Sequence, residues 1–490
     1  MQYLSSSLDI DKNSAQPVYL QLASQLMALI NSGTLQSGQQ LPASRTLAAQ
    51  LGIHRKTIIR AYDELIVQGW LESKPGSGTF VATQLPKINQ RTLGDCSALG
   101  KDALKHAGFA FVTMPHLQRE LTLPDNGYHL DDGLPDARIA PLQELSSAYR
   151  SQMALGNPYS RLGYGDPAGA ANLRTALSSY LNETRGMQTT AANVLITRGT
   201  VMSMYLACTV LLKQGDLVAV TDLSWSGADV NFKQAGARMI RIPTDEAGID
   251  INALEATCKK MPIRMLYITS HHHYPTTVSL RADRRIALLQ LAHQYGFILF
   301  EDDYDYDFHY ENKPLLPLAS VDPSGMVIYS GSFSKIISPA FRVGYLVGPE
   351  DLIAELSLLR RIIDRQGDSI LENAIAELLQ NGIIQKHLRK SLRMYRERRN
   401  VFCELLNGLQ NYVDYKIPEG GMAIWAKFDP AIDLHDLSAK ALKKGLYFSN
   451  GNIHAPGNPA FNCTRLGFAS STPDELEKSM MIMSNLLKAR

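Results

Sequence analysis

Apolar positions over the first eighty residues recur at helical spacing. Val18, Leu20, Leu22, Leu26 and Ile30 predict a helix that Pro17 opens and Asn31-Ser32-Gly33 ends. Pro42 precedes a second, short helix over 43–51, which Gly52 closes as a C-terminal cap. Ile58, Ile59, Tyr62, Leu65 and Ile66 predict a third over 54–68, ended by Gly69. Two short strand-like pieces, 70–73 and 79–81, flank Lys74-Pro75-Gly76-Ser77-Gly78, a glycine-rich hairpin tip. Residues 83–125 hold Pro86, Gly94, Gly100, Pro115 and Pro124 without a sustained period, which predicts a linker with one short helix near 101–106. So long a loop is uncommon inside one compact domain and marks a boundary.

From about residue 126 the pattern changes. Apolar runs at 193–197, 217–221, 239–242, 265–269, 297–300, 326–329 and 343–347 read as buried strands, and helical stretches separate most of them. That is the pattern of a large α/β domain with a mainly parallel sheet. After Pro349 the chain reads as mostly helical with late strands such as 422–426, a smaller α+β subdomain. The expected partition is a DNA-binding-sized unit at 12–83, a linker at 84–126 and a domain at 127–490, its large part about 127–350 and its small subdomain about 351–490. A chain of 490 residues exceeds one ordinary core, which agrees with a multidomain reading.

Composition narrows the setting. The net charge of +2 does not mark a nucleic-acid binder, so any DNA-binding surface is local. Cys96, Cys208, Cys258, Cys403 and Cys463 are scattered, which argues for a reducing compartment and against a disulfide framework. The first residues lack the basic and apolar regions of a signal peptide. The most apolar stretch, 206–220, is broken by Lys213, Gln214, Gly215 and Asp216, short of the ~18 residues that span a bilayer. The expected location is the cytoplasm, in association with the nucleoid.

The third helix opens on His54-Arg55-Lys56-Thr57, with Arg60 one turn on. In a helix-turn-helix the N-terminal residues of the second helix reach base edges, and Arg and Lys suit guanine and phosphates. Arg45 starts the preceding helix, where a phosphate contact is natural. Lys74, Gly76 and Gly78 at the hairpin tip would approach the backbone or a minor groove. Three short helices and a hairpin also build protein-interaction domains, so the pattern alone leaves both readings open.

In the larger domain, Lys335 lies in Gly331-Ser332-Phe333-Ser334-Lys335 after a strand. Such a lysine could form a Schiff base with a carbonyl cofactor, while Ser332, Ser334 and Arg342 could hold a phosphate. Asp302 follows an apolar strand, at the edge where α/β sheets bind ligands, and could keep a cofactor pyridine nitrogen protonated. Tyr304 could bond the cofactor's phenolic oxygen. A solvated acidic loop of Asp302, Asp303, Asp305 and Asp307 is the plainer alternative. Thr200 and Val201 follow a glycine turn into a helix N-terminus, a phosphate cradle. Trp225 could stack on a flat ring or pack in the core. His271, His272 and His273 alternate faces along a strand, so at most two share a ligand, and no metal is expected.

The stretch LPASRTLAAQLGIHRKTIIRAYDELIVQGWLESKPGSGTFV resembles the GntR winged-helix signature over its whole length. The segments SFSKIISPAFRVGY, EDDYDYDF, YGDPAGAANLR and TRLGF resemble fold-type I pyridoxal 5′-phosphate (PLP) enzymes of the aspartate aminotransferase kind. Together they resemble the MocR-type regulators of the GntR superfamily. The resemblance implies a winged helix that binds double-stranded DNA through Arg45, Arg55, Lys56, Thr57 and the wing glycines. It implies PLP held by Lys335 as a Schiff base, a homodimer in which Tyr164 reaches the neighbouring subunit's cofactor phosphate, and Arg465 on the carboxylate of an amino effector. An amino acid, an aminosulfonate or PLP itself would be that effector. His54 and Lys56 occupy variable positions, so the operator is not inherited. Two departures stand out. Val201-Met202 replaces a frequent Gln-Gln, and His272-His273-Tyr274-Pro275-Thr276-Thr277 replaces Asn-Pro-Thr-Gly, which favours a regulator over an enzyme. The alternatives are a working aminotransferase with an appended DNA-binding domain, and a cofactor-free repressor that uses the domain as a scaffold.

Overall fold

The computed structural model describes residues 3–85, 105–107, 109–118, 127–154, 156–311, 315–455 and 461–489. The linker expected at 84–126 and its short helix at 101–106 fall largely outside them. The chain divides into two compact units, Met1–Met114 and Pro115–Arg490.

In the first unit, after a short helical turn at Tyr3–Ser6, the helices α1 (Val18–Asn31), α2 (Ser44–Leu51) and α3 (Arg55–Val67) precede a hairpin of β1 (Leu71–Lys74) and β2 (Gly78–Val81), paired from Leu71↔Val81 to Lys74↔Gly78. Their apolar stripes meet in one core, where Leu22, Leu26, Leu47, Ile58, Ala61 and Leu65 are fully buried. The Tyr62 hydroxyl donates to the Pro42 carbonyl at 2.9 Å and ties α3 to the start of α2. Gly52 ends α2 at φ 61, a conformation open to glycine. The third helix starts one residue later than its periodicity predicts. His54 is its N-cap, with Nδ1 accepting from the Lys56 amide at 3.1 Å.

The second unit is built on a seven-stranded sheet. Its first strand, β3 (Tyr128–Leu130), lies outside that sheet. The seven are β4 (Val194–Thr197), β5 (Leu217–Thr221), β6 (Arg238–Ile242), β7 (Met265–Ile268), β8 (Ile298–Asp303), β9 (Val327–Ser332) and β10 (Gly344–Val347), in spatial order β4-β10-β9-β8-β7-β5-β6. Only β10 runs antiparallel. Side chains alternate between two cores. Val218, Val220, Tyr267 and Phe300 enter one, and Ala219, Leu266, Ile268 and Leu299 the other. Burial on both faces explains why these strands read as continuous apolar runs.

Strand β8 extends three residues past the predicted end at 300, because its parallel ladder with β9 continues to Asp303↔Gly331. Asp302 therefore stands on the strand rather than after it. An antiparallel sheet of Val413–Tyr415, Ala423–Phe428 and Cys463–Gly467 forms the smaller part. Strand β3, counted with the larger part in the sequence partition, pairs in parallel with Leu446–Phe448 of the smaller one. Among the described residues, Cys208, Cys258, Cys403 and Cys463 are free thiols and no helix is long and apolar enough to cross a membrane.

Candidate functional site

The carboxyl ends of β7, β8 and β9 face a cavity of about 200 Å³. Nine of the residues expected to meet a cofactor line it: Thr200, Val201, Trp225, Asp302, Tyr304, Ser332, Ser334, Lys335 and Arg342. Tyr164 does not. It is 79% exposed, with the Arg365 guanidinium 4.1 Å over its ring. Asp132, Tyr267, Thr269 and Tyr274 also line the cavity and escape the sequence reading.

Lys335 brings an amine to this space, and Nζ donates to the Gly133 carbonyl at 2.6 Å. Burial pulls its pKa below the usual lysine range, against the pull of Asp132 and Asp131, which favours the unprotonated, nucleophilic amine. The same cavity is lined by Asp302, whose Oδ2 accepts from the Tyr267 hydroxyl at 2.8 Å. Oδ1 is buried without a partner among the described residues. Burial pushes this carboxyl up to about 7, the Tyr267 bond opposing, and Asp303 and Asp305 add to the rise. An orphaned carboxylate oxygen in a low-dielectric cavity is a seat for an N–H bearing positive charge.

The other end of the cavity is built for an anion. Helix α4 (Thr200–Leu211) begins there, and its first N–H groups have no intrahelical acceptor. Ser332 Oγ donates to Ser334 Oγ at 2.8 Å, and Arg342 reaches in with Nη2 on the Arg198 carbonyl at 2.7 Å. Arg342 adopts φ 51, a left-handed conformation rare for a residue with a side chain. Gly199 makes room for it: at φ 82, a Cβ on Gly199 would sit 2.8 Å from Arg342 Nη2. The Tyr304 hydroxyl lines the cavity, donates to the His272 carbonyl at 3.0 Å and also meets the Arg465 guanidinium.

Arg465 lies on the strand Cys463–Gly467 and stands behind the cavity wall rather than on it. It is 2% exposed. Its Nε is 2.8 Å from Asp132 Oδ1, Nη1 donates to the Pro275 carbonyl at 3.1 Å, and the guanidinium lies 4.9 Å over the Tyr274 ring. The three histidines are dispersed among separate partners. His271 pairs with Asp303 at 3.3 Å, His272 with Asp305 at 2.8 Å, and His273 with Thr276 and Thr221 at 2.7 and 2.9 Å. Among the described residues no group of three or more ligating side chains could hold a metal ion.

In the first unit Arg45 on α2, the α3 cap His54, and Arg55, Lys56 and Arg60 on α3 are exposed and Thr57 is half-buried, while Ile58, Ala61 and Leu65 of α3 enter the core. Arg55 Nε donates to Ser44 Oγ at 3.2 Å, which aims its guanidinium across the α2–α3 corner. Arg60 is engaged within the unit, 3.9 Å over the Tyr19 ring. Lys74, Gly76 and Gly78 form the exposed hairpin tip, with Lys74 paired to Glu72 at 3.3 Å. Gln40, absent from the sequence reading, braces the tip through Nε2 on the Ser77 carbonyl at 2.7 Å.

Both halves have recognisable counterparts. The aminotransferase class I and II family matches residues 131–480, and the gntR family of bacterial regulatory proteins matches residues 18–81. The chain belongs to the aminotransferase class I and II family and carries a GntR helix-turn-helix domain ahead of it, the MocR-type arrangement. The probable rhizopine catabolism regulatory protein MocR of Rhizobium meliloti is 28% identical over 478 residues, 96% of this chain and 94% of that protein. The HTH-type pyridoxine biosynthesis transcriptional regulator PdxR of Corynebacterium glutamicum is 27% identical over 476 residues, 96% of each. Among solved structures, kynurenine aminotransferase of Pyrococcus horikoshii superposes with a TM-score of 0.68 at 27% identity, over 75% of this chain and 92% of that one.

PLP is the cofactor of this domain, and the cavity fits it. The unpartnered Asp302 Oδ1 suits a protonated ring nitrogen, and the space that Gly199 opens beside Arg342 suits a phosphate. Gly199→Ala is expected to weaken PLP uptake at least tenfold while far-UV circular dichroism stays that of the wild type. Unchanged uptake would mean that the phosphate sits elsewhere.

Proposed function

We propose that this chain is a PLP-dependent, DNA-binding transcription regulator that senses an amino compound or PLP itself through its aminotransferase-like domain. The observation that carries this reading is the joint presence, in one chain, of an exposed basic helix start in a GntR unit and of Lys335 and Asp302 in one cavity. Residues 12–83 act as the DNA-binding domain, and residues 127–490 act as the sensor. PLP, when bound, supplies an electrophilic carbonyl and an electron-withdrawing ring. Lys335 supplies the amine that anchors it, and Thr200, Val201, Ser332, Ser334 and Arg342 hold its phosphate. Asp302 holds a proton at the ring nitrogen, Tyr304 meets the ring's phenolic oxygen, and Trp225 covers a face. Arg465 closes the effector side through Asp132. On DNA, Arg55, Lys56 and Thr57 with His54 face the major groove, Arg45 and Arg60 the phosphates, and Lys74, Gly76 and Gly78 the wing contact.

The regulator works as a homodimer in the cytoplasm, on nucleoid DNA. Two adjacent helices, α4 and Glu350–Ile363, expose Val201, Tyr205, Leu358 and Ile362, and Tyr159, Leu162 and Tyr164 are exposed as well. Apolar groups gathered on a surface support a protein partner. The test is the visible absorption of the full-length protein loaded with PLP, followed through additions of an amine and then a keto acid. A cofactor band that responds to the amine, without sustained consumption of the keto acid, is expected. Multiple turnovers would replace this reading with a working aminotransferase.

A further inference from the structure

A carboxylate of this chain already occupies the arginine that the sequence reserves for an acidic ligand. Asp132 Oδ1 forms an ion pair with Arg465, 2.8 Å from Nε though out of line for a hydrogen bond, and Asp132 Oδ2 accepts from the Tyr274 hydroxyl at 2.7 Å. Asp132 lines the cavity and Arg465 does not. A ligand arriving beside Lys335 therefore meets a carboxylate where a free guanidinium would have drawn its acid group.

Among the described residues the surroundings offer no substitute cation on that side. His454 is buried, with its ring 5.6 Å from Tyr274 and 5.2 Å from Trp425. Neither ring nitrogen has a partner among the described residues, and burial pulls its pKa down to about 4, so the ring is neutral at physiological pH. Arg342 is committed to the anion end of the cavity. Neighbouring Asp131 cannot take the place of Asp132. Its Oδ1 accepts the Gly133 and Leu134 amides at 2.9 and 2.7 Å, and its Oδ2 accepts from Ser470 at 2.6 Å.

A tethered group competes as though present at about millimolar concentration or more. An α-carboxylate has to displace Asp132 from that buried guanidinium before it can pair there. An amine without that carboxylate enters with the pair intact. We infer that the effector is a primary amine with no carboxylate on its amine-bearing carbon, and that Asp132 is the residue that sets this specificity. The inference rests on the reading that Lys335 holds PLP and that an amino compound is sensed there.

The test titrates full-length, PLP-loaded protein with matched pairs, isoamylamine against leucine and ethylamine against alanine, read by visible absorption. The wild type is expected to respond to each amine at a concentration at least tenfold below that of its carboxylated counterpart. Asp132→Asn keeps the shape and an acceptor for Tyr274 but frees the Arg465 charge, and is expected to shrink that ratio at least tenfold. A wild-type response that favours the amino acids, whether by displacing Asp132 or by another route, overturns the inference alone. So does a ratio unchanged in Asp132→Asn. A protein that takes up no PLP overturns the cofactor reading and this inference with it.

Discussion

Lys335→Ala protein is expected to lose the visible band of the PLP-loaded wild type completely and to retain at least a hundredfold less cofactor through dialysis. The amine of Lys335 reaches the cavity from just beyond β9, and burial lowers its pKa toward the form that attacks a carbonyl. Removing it abolishes the covalent anchor but leaves the anion end untouched, because Ser332, Ser334, Arg342 and the start of α4 hold their places without it. Weak residual binding of free PLP is therefore part of the expectation. Lys335→Arg should not restore the band, since a guanidinium stays protonated. A band of unchanged position and strength in Lys335→Ala would put the anchoring amine on another residue.

Arg55→Ala is expected to weaken binding of a specific DNA duplex by about 1–3 kcal/mol, roughly 5- to 150-fold, if Arg55 reads a guanine edge from the first turn of α3. Its exposure and its brace on Ser44 at 3.2 Å favour that role over a solvated surface charge. Arg60→Ala should cost less on DNA, because that guanidinium already rests on Tyr19. Fluorescence anisotropy at several salt concentrations separates base readout from charge. Loss of one phosphate contact lowers the salt slope by about 1 and acts alike on all sequences. An Arg55→Ala protein with wild-type affinity would move the reading surface away from α3.

The two-unit plan was legible because each unit buries its apolar groups in a simple period. Leu22, Leu26, Ile58 and Leu65 mark helix faces that close one core, and runs such as 217–221 mark strands covered on both sides. The ends of elements were harder. Asp302 reads as lying past a strand because a carboxylate is a poor strand residue. The ladder to Ser330 and Gly331 decides otherwise, and no local pattern reports it. His54 reads as a DNA contact, yet its ring first serves as a helix cap.

Of the site, the lysine, the serines, the glycine turn and the aspartate carry local signals. Tyr267 does not. It looks like one more apolar strand residue until the register Phe300↔Tyr267 brings its hydroxyl to Asp302 on the next strand. Asp132 has meaning only beside Arg465, which arrives from the far end of the sequence. Tertiary pairing of this kind leaves no trace in periodicity or spacing.

On the proposed function, occupancy of the Lys335 cavity and affinity for DNA are coupled. The coupling is tested by the affinity of full-length, PLP-loaded protein for a duplex that the protein itself selects from a randomised pool, with and without saturating ethylamine, in wild type and Lys335→Ala. A shift of at least fivefold is expected in the wild type, with a reciprocal shift of the same factor in the amine's own affinity when DNA is present, and none in the variant. Equal DNA affinity with and without the amine, in wild-type protein whose spectrum shows the amine bound, would contradict it.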